Sequence, residues 1–152
     1  MPLEIERKFL VDAKKLVKLK LTGGERISQG YLSSNPTVRV RLTESCGYLT
    51  IKSSTRGISR QEFDYEIPLE DAKELLKLCG RKVLKKYRRK VEYSGHIWEI
   101  DFFAGRHAGL VLAEVELNSP DEPLNLPDWA TKEVSGDKRY YNSKETIDRL
   151  PK

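Results

Sequence analysis

The sequence predicts a mainly β fold with a few helices (α+β), an eight-stranded antiparallel β-barrel that forms a tunnel, with helices packed outside. Three observations predict it. Apolar and polar residues alternate with period two through about eight separate segments. Short turns join most of these segments, as they do in antiparallel sheets and barrels. The polar faces are sorted by charge, which a face turned to bulk water does not require.

Residues 3–10 set Glu4, Glu6 and Lys8 against Ile5, Arg7 and Phe9. Residues 26–32 form a second strand that runs into the turn Ser33-Ser34-Asn35-Pro36. Residues 37–43 place Arg39 and Arg41 opposite Val38, Val40 and Leu42, and a strand from Gly47 places Tyr48, Thr50 and Lys52 opposite Leu49 and Ile51. Residues 60–67 carry Glu62, Asp64 and Glu66 on one face. Residues 83–93 carry Lys86, Arg88 and Lys90, and the short turn Ser94-Gly95 leads into residues 96–103 with Glu99 and Asp101. Residues 110–117 finish the series with Glu114 and Glu116. Residues 69–79 read as the clearest helix, with Pro68 before it, Glu70 and Asp71 in the first turn and Gly80 as the stop. Residues 12–20 read as a second, weaker helix, and Asn142-Ser143 as the cap of a short last one. With no internal repeat or linker, residues 1–152 form one domain.

The totals set bounds. Charged residues make up 34% of the 152, while 38% are hydrophobic, enough for a core. The net charge of +5 favours a polyanionic partner. Cys46 and Cys79 have neither zinc-knuckle nor redox-pair spacing, and Cys79 reads as a buried thiol at a helix end. Glu4 and Glu6 stand where a signal peptide would be basic and then apolar, and no apolar run reaches membrane length. A cytoplasmic location without membrane attachment is expected. His96 and His107 are isolated and read as surface or turn residues.

Spacing by two sends both charges of a pair to the same side of a sheet. On a solvent face such charges form cross-strand ion pairs worth up to about 1 kcal/mol. Like-charge pairs such as Arg39/Arg41 and Glu4/Glu6 gain nothing from each other; they make sense around a shared polyanion and its metal ions. Eight strands enclose side chains plus one small ligand. With charged faces inward, the basic lining is Lys8, Arg39, Arg41, Lys52, Lys86 and Arg88, with Lys90 as a further candidate. The acidic lining is Glu4, Glu6, Glu62, Asp64, Glu66, Glu99, Asp101, Glu114 and Glu116. The outer apolar face then needs a cover, supplied by helix 69–79 and the segment holding Trp129. Arginine binds phosphate oxygens in a planar, bidentate way, and carboxylate oxygens suit Mg²⁺ or Mn²⁺. Both are recurring parts of phosphoryl-transfer sites. No Walker loop, Rossmann fingerprint or nucleophile elbow occurs.

These residues resemble a known family. Glu4-Ile5-Glu6-Arg7-Lys8 matches the E-x-E-x-K signature of the CYTH superfamily, the triphosphate tunnel metalloenzymes. Val38 to Leu42, Thr50 to Lys52, Glu62 to Glu66, Lys86 to Arg88, Glu99 to Asp101, Ala113 to Glu116 and Glu133 to Tyr140 follow in the family's order. The resemblance implies hydrolysis of a triphosphate, favouring inorganic triphosphate, with Mg²⁺ or Mn²⁺ as cofactor. It implies a metal site of Glu4 and Glu6 with Glu114 or Glu116, and a phosphate site of Lys8, Arg39, Arg41, Lys52, Lys86 and Arg88. Lys8, Glu62, Asp101 and Tyr31 make up the implied catalytic set. Asp101 and Glu62 would bind a second metal or position the attacking water, and Tyr31 would steer it, although a strand tyrosine is more often packed. A homodimer is implied by resemblance only. Arg106-His107 departs from a turn that is often acidic in relatives, which bears on substrate preference. Within the family, adenylate cyclase and thiamine triphosphatase are alternatives; an aromatic wall from Tyr48, Trp98 or Trp129 would favour them. A non-catalytic polyphosphate- or RNA-binding module is the alternative of another class. Paired carboxylates argue against a specific nucleic-acid partner.

Overall fold

The computed structural model describes residues 3–80 and 82–140. In chain order the strands are β1 (Leu3–Val11), β2 (Thr22–Ser34), β3 (Thr37–Leu42), β4 (Gly47–Lys52), β5 (Ser59–Ile67), β6 (Val83–Tyr93), β7 (His96–Phe103), β8 (Val111–Glu116) and β9 (Ala130–Glu133). One α-helix, α1 (Leu69–Leu78), separates β5 from β6. The strand order is β5-β4-β3-β2-β6-β7-β8-β1-β9, and β5 also pairs with β1. The first eight strands therefore close into a ring of antiparallel neighbours, as expected.

The closure is uneven. β8 runs along one edge of β1, from Glu6 to Leu10. The opposite edge is shared, with β5 on Leu3 to Ile5 and β9 on Phe9 to Val11. β5 meets β1 only through Ser59, Arg60 and Gln61. Its far half has β4 as its one neighbour, so Asp64 and Glu66 are exposed instead of lining the interior with Glu62.

Two apolar layers hold the ring. The first lies outside it. Phe9, Trp98, Ile100, Ala113 and Val115 project away from the charged face and pack with Leu16 and Trp129. The Trp98 and Trp129 rings meet edge-on at 5.2 Å. Residues 12–20 belong to this cover and do not form the expected helix. They make one 3-10 turn, Ala13–Leu16, started by the Asp12 side chain accepting a hydrogen bond from the Lys14 amide. Leu16, Leu19 and Leu21 are drawn down onto the outer core, and that packing suits a strap better than a regular helix. Helix α1 lies against β3 and β4. It approaches so closely that a Cβ on Gly47 would come 2.6 Å from the Ala72 methyl carbon. Cys79, at its C-terminal cap, is half-buried and not fully buried as expected.

The second apolar layer is inside. Leu10, Leu84, Phe103 and Leu112 each stand two residues from a charged position (Lys8, Lys86, Asp101 and Glu114), so they share its face. With Tyr31, Leu110, Val134 and Tyr140 they form one buried cluster. The inner face thus turns from charged to apolar toward one end of the ring.

Three further differences stand out. β9 has no counterpart among the expected strands. His107 is 5% exposed, buried in the 3-10 turn Gly105–His107. His96 is half-buried and meets Glu122 through Nε2 at 2.5 Å. The expected cap Asn142-Ser143 lies outside the described residues.

Candidate active site

Seven strands of the ring send charged side chains into one cavity of about 770 Å³. β1 contributes Glu4, Glu6 and Lys8; β3 contributes Arg39 and Arg41. Lys52 comes from β4, Glu62 from β5, Lys86 and Arg88 from β6, Glu99 from β7, and Glu114 and Glu116 from β8. Tyr31, from β2, completes the wall. Asp101 is the one proposed site residue that does not reach the wall. It is 1% exposed beneath Lys86 and Arg88.

Most of the cations are held by carboxylates. Lys52 Nζ donates to both oxygens of Glu4 at 3.2 Å and lies 3.5 Å from Glu62. Arg60 Nε adds a third cationic contact to Glu4 at 3.2 Å. Lys8 Nζ is 3.7 Å from Glu114 and donates to the Tyr140 carbonyl at 3.3 Å. Arg88 grips Asp101 with two hydrogen bonds, of 2.7 and 2.9 Å, and reaches Glu99 at 3.2 Å. Lys86 takes the remaining side of Asp101 at 2.7 Å. Both partners in that contact are 1% exposed, so the pair is dry.

Arg39 and Arg41 are anchored differently. Arg39 Nη2 donates to the Thr50 hydroxyl at 3.2 Å, and Arg39 Nε is buried with no hydrogen-bond partner. Arg41 donates from Nε and Nη2 to the Gln29 side-chain oxygen at 3.0 and 2.8 Å. Neither guanidinium has an ion pair among the described residues. Buried charge without a counter-charge is costly and invites an anion.

The same imbalance shows in the acid–base properties. Burial, then Arg39 and Arg88, pull Arg41 down to about 10. Burial lowers Lys86, with Asp101 opposing. Burial pushes Glu4 up, but the hydrogen bond from Glu62 and the charges of Lys52 and Arg60 outweigh it and hold Glu4 at about 2. Glu62, the other half of that hydrogen bond, is raised to about 7 by burial and by Glu4. Glu6 is raised to about 8 by burial, then by Glu114 and Glu4. Burial also works against ionised Glu114, but Lys8, Arg88 and Lys86 prevail and hold it well below the usual carboxylate range. Tyr31 is raised by burial and keeps its proton at neutral pH.

Three residues of the site escaped the sequence reading. Arg60 stands two before Glu62 on the same strand face, so parity alone would have placed it. Gln29 and Thr50 are uncharged, and nothing in a charge pattern marks them. The aromatic wall does not form from the expected residues. Trp98 and Trp129 are buried in the outer core, and Tyr48 is not among the residues lining the cavity.

Comparison with known proteins agrees with this geometry. The family model described as the CYTH domain matches residues 2–149. The chain is 45% identical over 145 residues to an inorganic triphosphatase of Acetivibrio thermocellus, covering 92% of this chain and 90% of the relative. It is 37% identical over 147 residues to an inorganic triphosphatase of Nitrosomonas europaea, covering 91% and 93%. Among solved structures, an inorganic triphosphatase superposes with a TM-score of 0.68 at 31% identity, covering 98% of this chain and 99% of that one. With the family match running almost end to end and the same fold in a solved relative, the chain belongs to the CYTH domain family.

Proposed function

We propose that this chain hydrolyses inorganic triphosphate to pyrophosphate and phosphate in the charged cavity, using a divalent cation, Mg²⁺ or Mn²⁺. The observation that carries the reading is the pair Arg39 and Arg41: two guanidiniums lining a cavity, held by neutral groups and free of ion pairs among the described residues. Their planar donors fit the non-bridging oxygens of a phosphate chain. Lys8, Lys52, Lys86 and Arg88 add positive charge around it. The relatives' activity supports this substrate class, and the placement of Trp98 and Trp129 in the outer core, with Tyr48 also off the cavity lining, favours an inorganic over an organic triphosphate.

The residues fit a divalent cation. Glu6 lines the cavity and, among the described residues, has no hydrogen bond or ion pair to a cation; it stands beside two further carboxylates that raise its pKa. An all-oxygen set suits a hard ion. Among the described residues no three acidic, histidine or cysteine groups stand together as a ready-made cage. Glu4 and Glu114 are instead engaged by Lys52, Arg60, Lys8 and Arg88. In this reading Glu4 and Glu6, with Glu114 or Glu116, hold the cation. When bound, it supplies charge neutralisation to the phosphate oxygens.

The chain's own groups position and neutralise the rest. Arg39 and Arg41 orient the phosphate chain and reduce its repulsion of an incoming water. The water oxygen attacks a terminal phosphorus, the anhydride P–O bond breaks, and pyrophosphate leaves. A Glu62 carboxylate oxygen accepts the water's proton, a task for which a pKa of about 7 is well placed. Asp101 acts from below by fixing Lys86 and Arg88, and Tyr31 donates a hydrogen bond into the site. No helix among the described residues is long and apolar enough to cross a membrane. The cytoplasmic assignment rests on Cys46 and Cys79, which form no disulfide among the described residues, and on the substrate class.

Phosphate release from inorganic triphosphate, ATP and thiamine triphosphate, with Mg²⁺ or Mn²⁺ and with EDTA, tests the reading. Fastest release from inorganic triphosphate, abolished by EDTA, is expected. Release indifferent to EDTA refutes the metal role, and none from inorganic triphosphate refutes the substrate.

A further inference from the structure

Gln29 is fully buried on the inner face of the ring, where charged or apolar residues would be the ordinary occupants. It sits directly across β2–β3 from Arg41 and across β2–β6 from Leu84, at the boundary between charged wall and apolar interior. Its side-chain oxygen accepts both Arg41 hydrogen bonds, at 3.0 and 2.8 Å. Arginine only donates, so the amide orientation is fixed. The Gln29 nitrogen then points to the Tyr31 hydroxyl, at 3.5 Å. Accepting there leaves the Tyr31 hydrogen free to donate toward the cavity.

We propose that Gln29 is a positioning residue that fixes Arg41 and Tyr31 for phosphate binding while leaving the Arg41 charge unspent. The inference rests on the phosphate site assigned above. Its content is the neutrality of the anchor. A carboxylate at this position would hold Arg41 equally well but cancel its charge. Arg39 makes the contrast: its anchor, Thr50, passes its own hydrogen to Asp64 at 2.5 Å, so a carboxylate stands one bond behind it. No carboxylate stands behind Gln29 among the described residues. Gln29 thereby makes Arg41 the guanidinium with the most charge available to an anion.

Gln29→Glu tests this, because it keeps the shape and both Arg41 hydrogen bonds while adding a negative charge and replacing the amide donor that faces Tyr31 by an acceptor. In the full chain with Mg²⁺, the variant is expected to melt at or above the wild-type temperature. Its KM for inorganic triphosphate should rise about tenfold or more, the scale of one charge-assisted contact. A residue that merely filled space would show wild-type KM once folded, and that result overturns the proposal. Gln29→Met is the second variant: it removes the anchor and keeps the Arg41 charge. Its kcat should fall about tenfold with KM within about twofold. Wild-type kcat in Gln29→Met overturns the proposal even if Gln29→Glu does not fold. Arg41→Ala separates the two levels. If it matches wild type, the phosphate site lies elsewhere and this inference falls with it; if it is impaired and both Gln29 variants are normal, only the role of Gln29 fails.

Discussion

Replacing Asp101 by Asn removes one negative charge from the driest part of the site and leaves shape almost unchanged. Asp101 is held by three hydrogen-bonding or ionic contacts of 2.7, 2.9 and 2.7 Å from Arg88 and Lys86, at 1% exposure. Breaking a buried pair by deleting one partner typically costs about 3–5 kcal/mol, because the surviving charge stays in low dielectric. Here two cations survive. Burial lowers the Lys86 pKa even with Asp101 opposing, so Lys86 escapes part of the penalty by losing its proton. Arg88 has no such escape and, among the described residues, retains Glu99 at 3.2 Å and Glu114 at 3.7 Å. A net loss of about 3 kcal/mol follows, which for a domain of this size lowers Tm by roughly 6–12 °C. Thermal unfolding followed by circular dichroism, with and without inorganic triphosphate, measures it. The polyanion should raise the melting temperature of Asp101→Asn more than that of wild type, since it supplies the missing counter-charge. A melting temperature within a degree or two of wild type would refute the reasoning, and would mean that water reaches Lys86 and Arg88.

Glu6→Gln should abolish metal-supported phosphate release while the protein stays folded, as read by the same phosphate assay. The metal-free proteins should also differ with pH. Glu6 has a folded pKa of about 8, above the ordinary 4.5, so its contribution is full below about 4.5 and is lost as pH rises through 8. Melting in EDTA should therefore favour Glu6→Gln over wild type by roughly 2 kcal/mol at pH 8, after screening by cavity water, and by nothing at pH 4.5; parallel curves would reject the raised pKa. Trp129→Ala, in the outer core at 2% exposure, should cost about 3–5 kcal/mol while leaving KM unchanged. An altered KM would show that the outer layer shapes the cavity.

How far the sequence reached follows from what a period-two pattern encodes. It states which face a side chain takes, and Glu4, Glu6, Lys8, Arg39, Arg41, Lys86, Arg88, Glu99, Glu114 and Glu116 line the cavity as expected, whereas Lys90, further along β6, is exposed. It carries no information about depth along the strand. Glu99 and Asp101 share a face, yet the Glu99 side chain is 31% exposed while that of Asp101 is 1% exposed. The first lines the cavity and the second supports it from below. Leu84, Phe103 and Leu112 obey the same parity as Lys86, Asp101 and Glu114, so an apolar cluster at one end looked like part of a uniformly charged lining. β9 is four residues, Ala130 to Glu133, three of them polar, and exists because β1 offers it an edge. No local propensity could announce it.

Depth is set by register, and some of that register was within reach. A two-residue turn at Ser94-Gly95 makes Tyr93 face His96, and counting outward pairs Arg88 with Asp101 and Lys90 with Glu99, as observed. Hairpin logic alone thus brings Asp101 under Arg88 before any coordinates are known. It cannot bring Glu4 to Lys52, because that contact crosses the seam where β1 meets β5, residues joined by no turn. Nor can it place Arg41 between Gln29 and the cavity without the β2–β6 pairing that closes the opposite side. Acid meets base locally, as in Arg88 with Asp101, and also across closures, as in Lys52 with Glu4 and Lys8 with Glu114. Closure of β8 onto β1 brings Glu6 beside Glu114, in addition to its strand neighbour Glu4, and Arg39 and Arg41 are left without an ion pair among the described residues. The unbalanced charges, which give the cavity its affinity for a cation and a phosphate chain, are therefore a property of ring closure and not of any single hairpin.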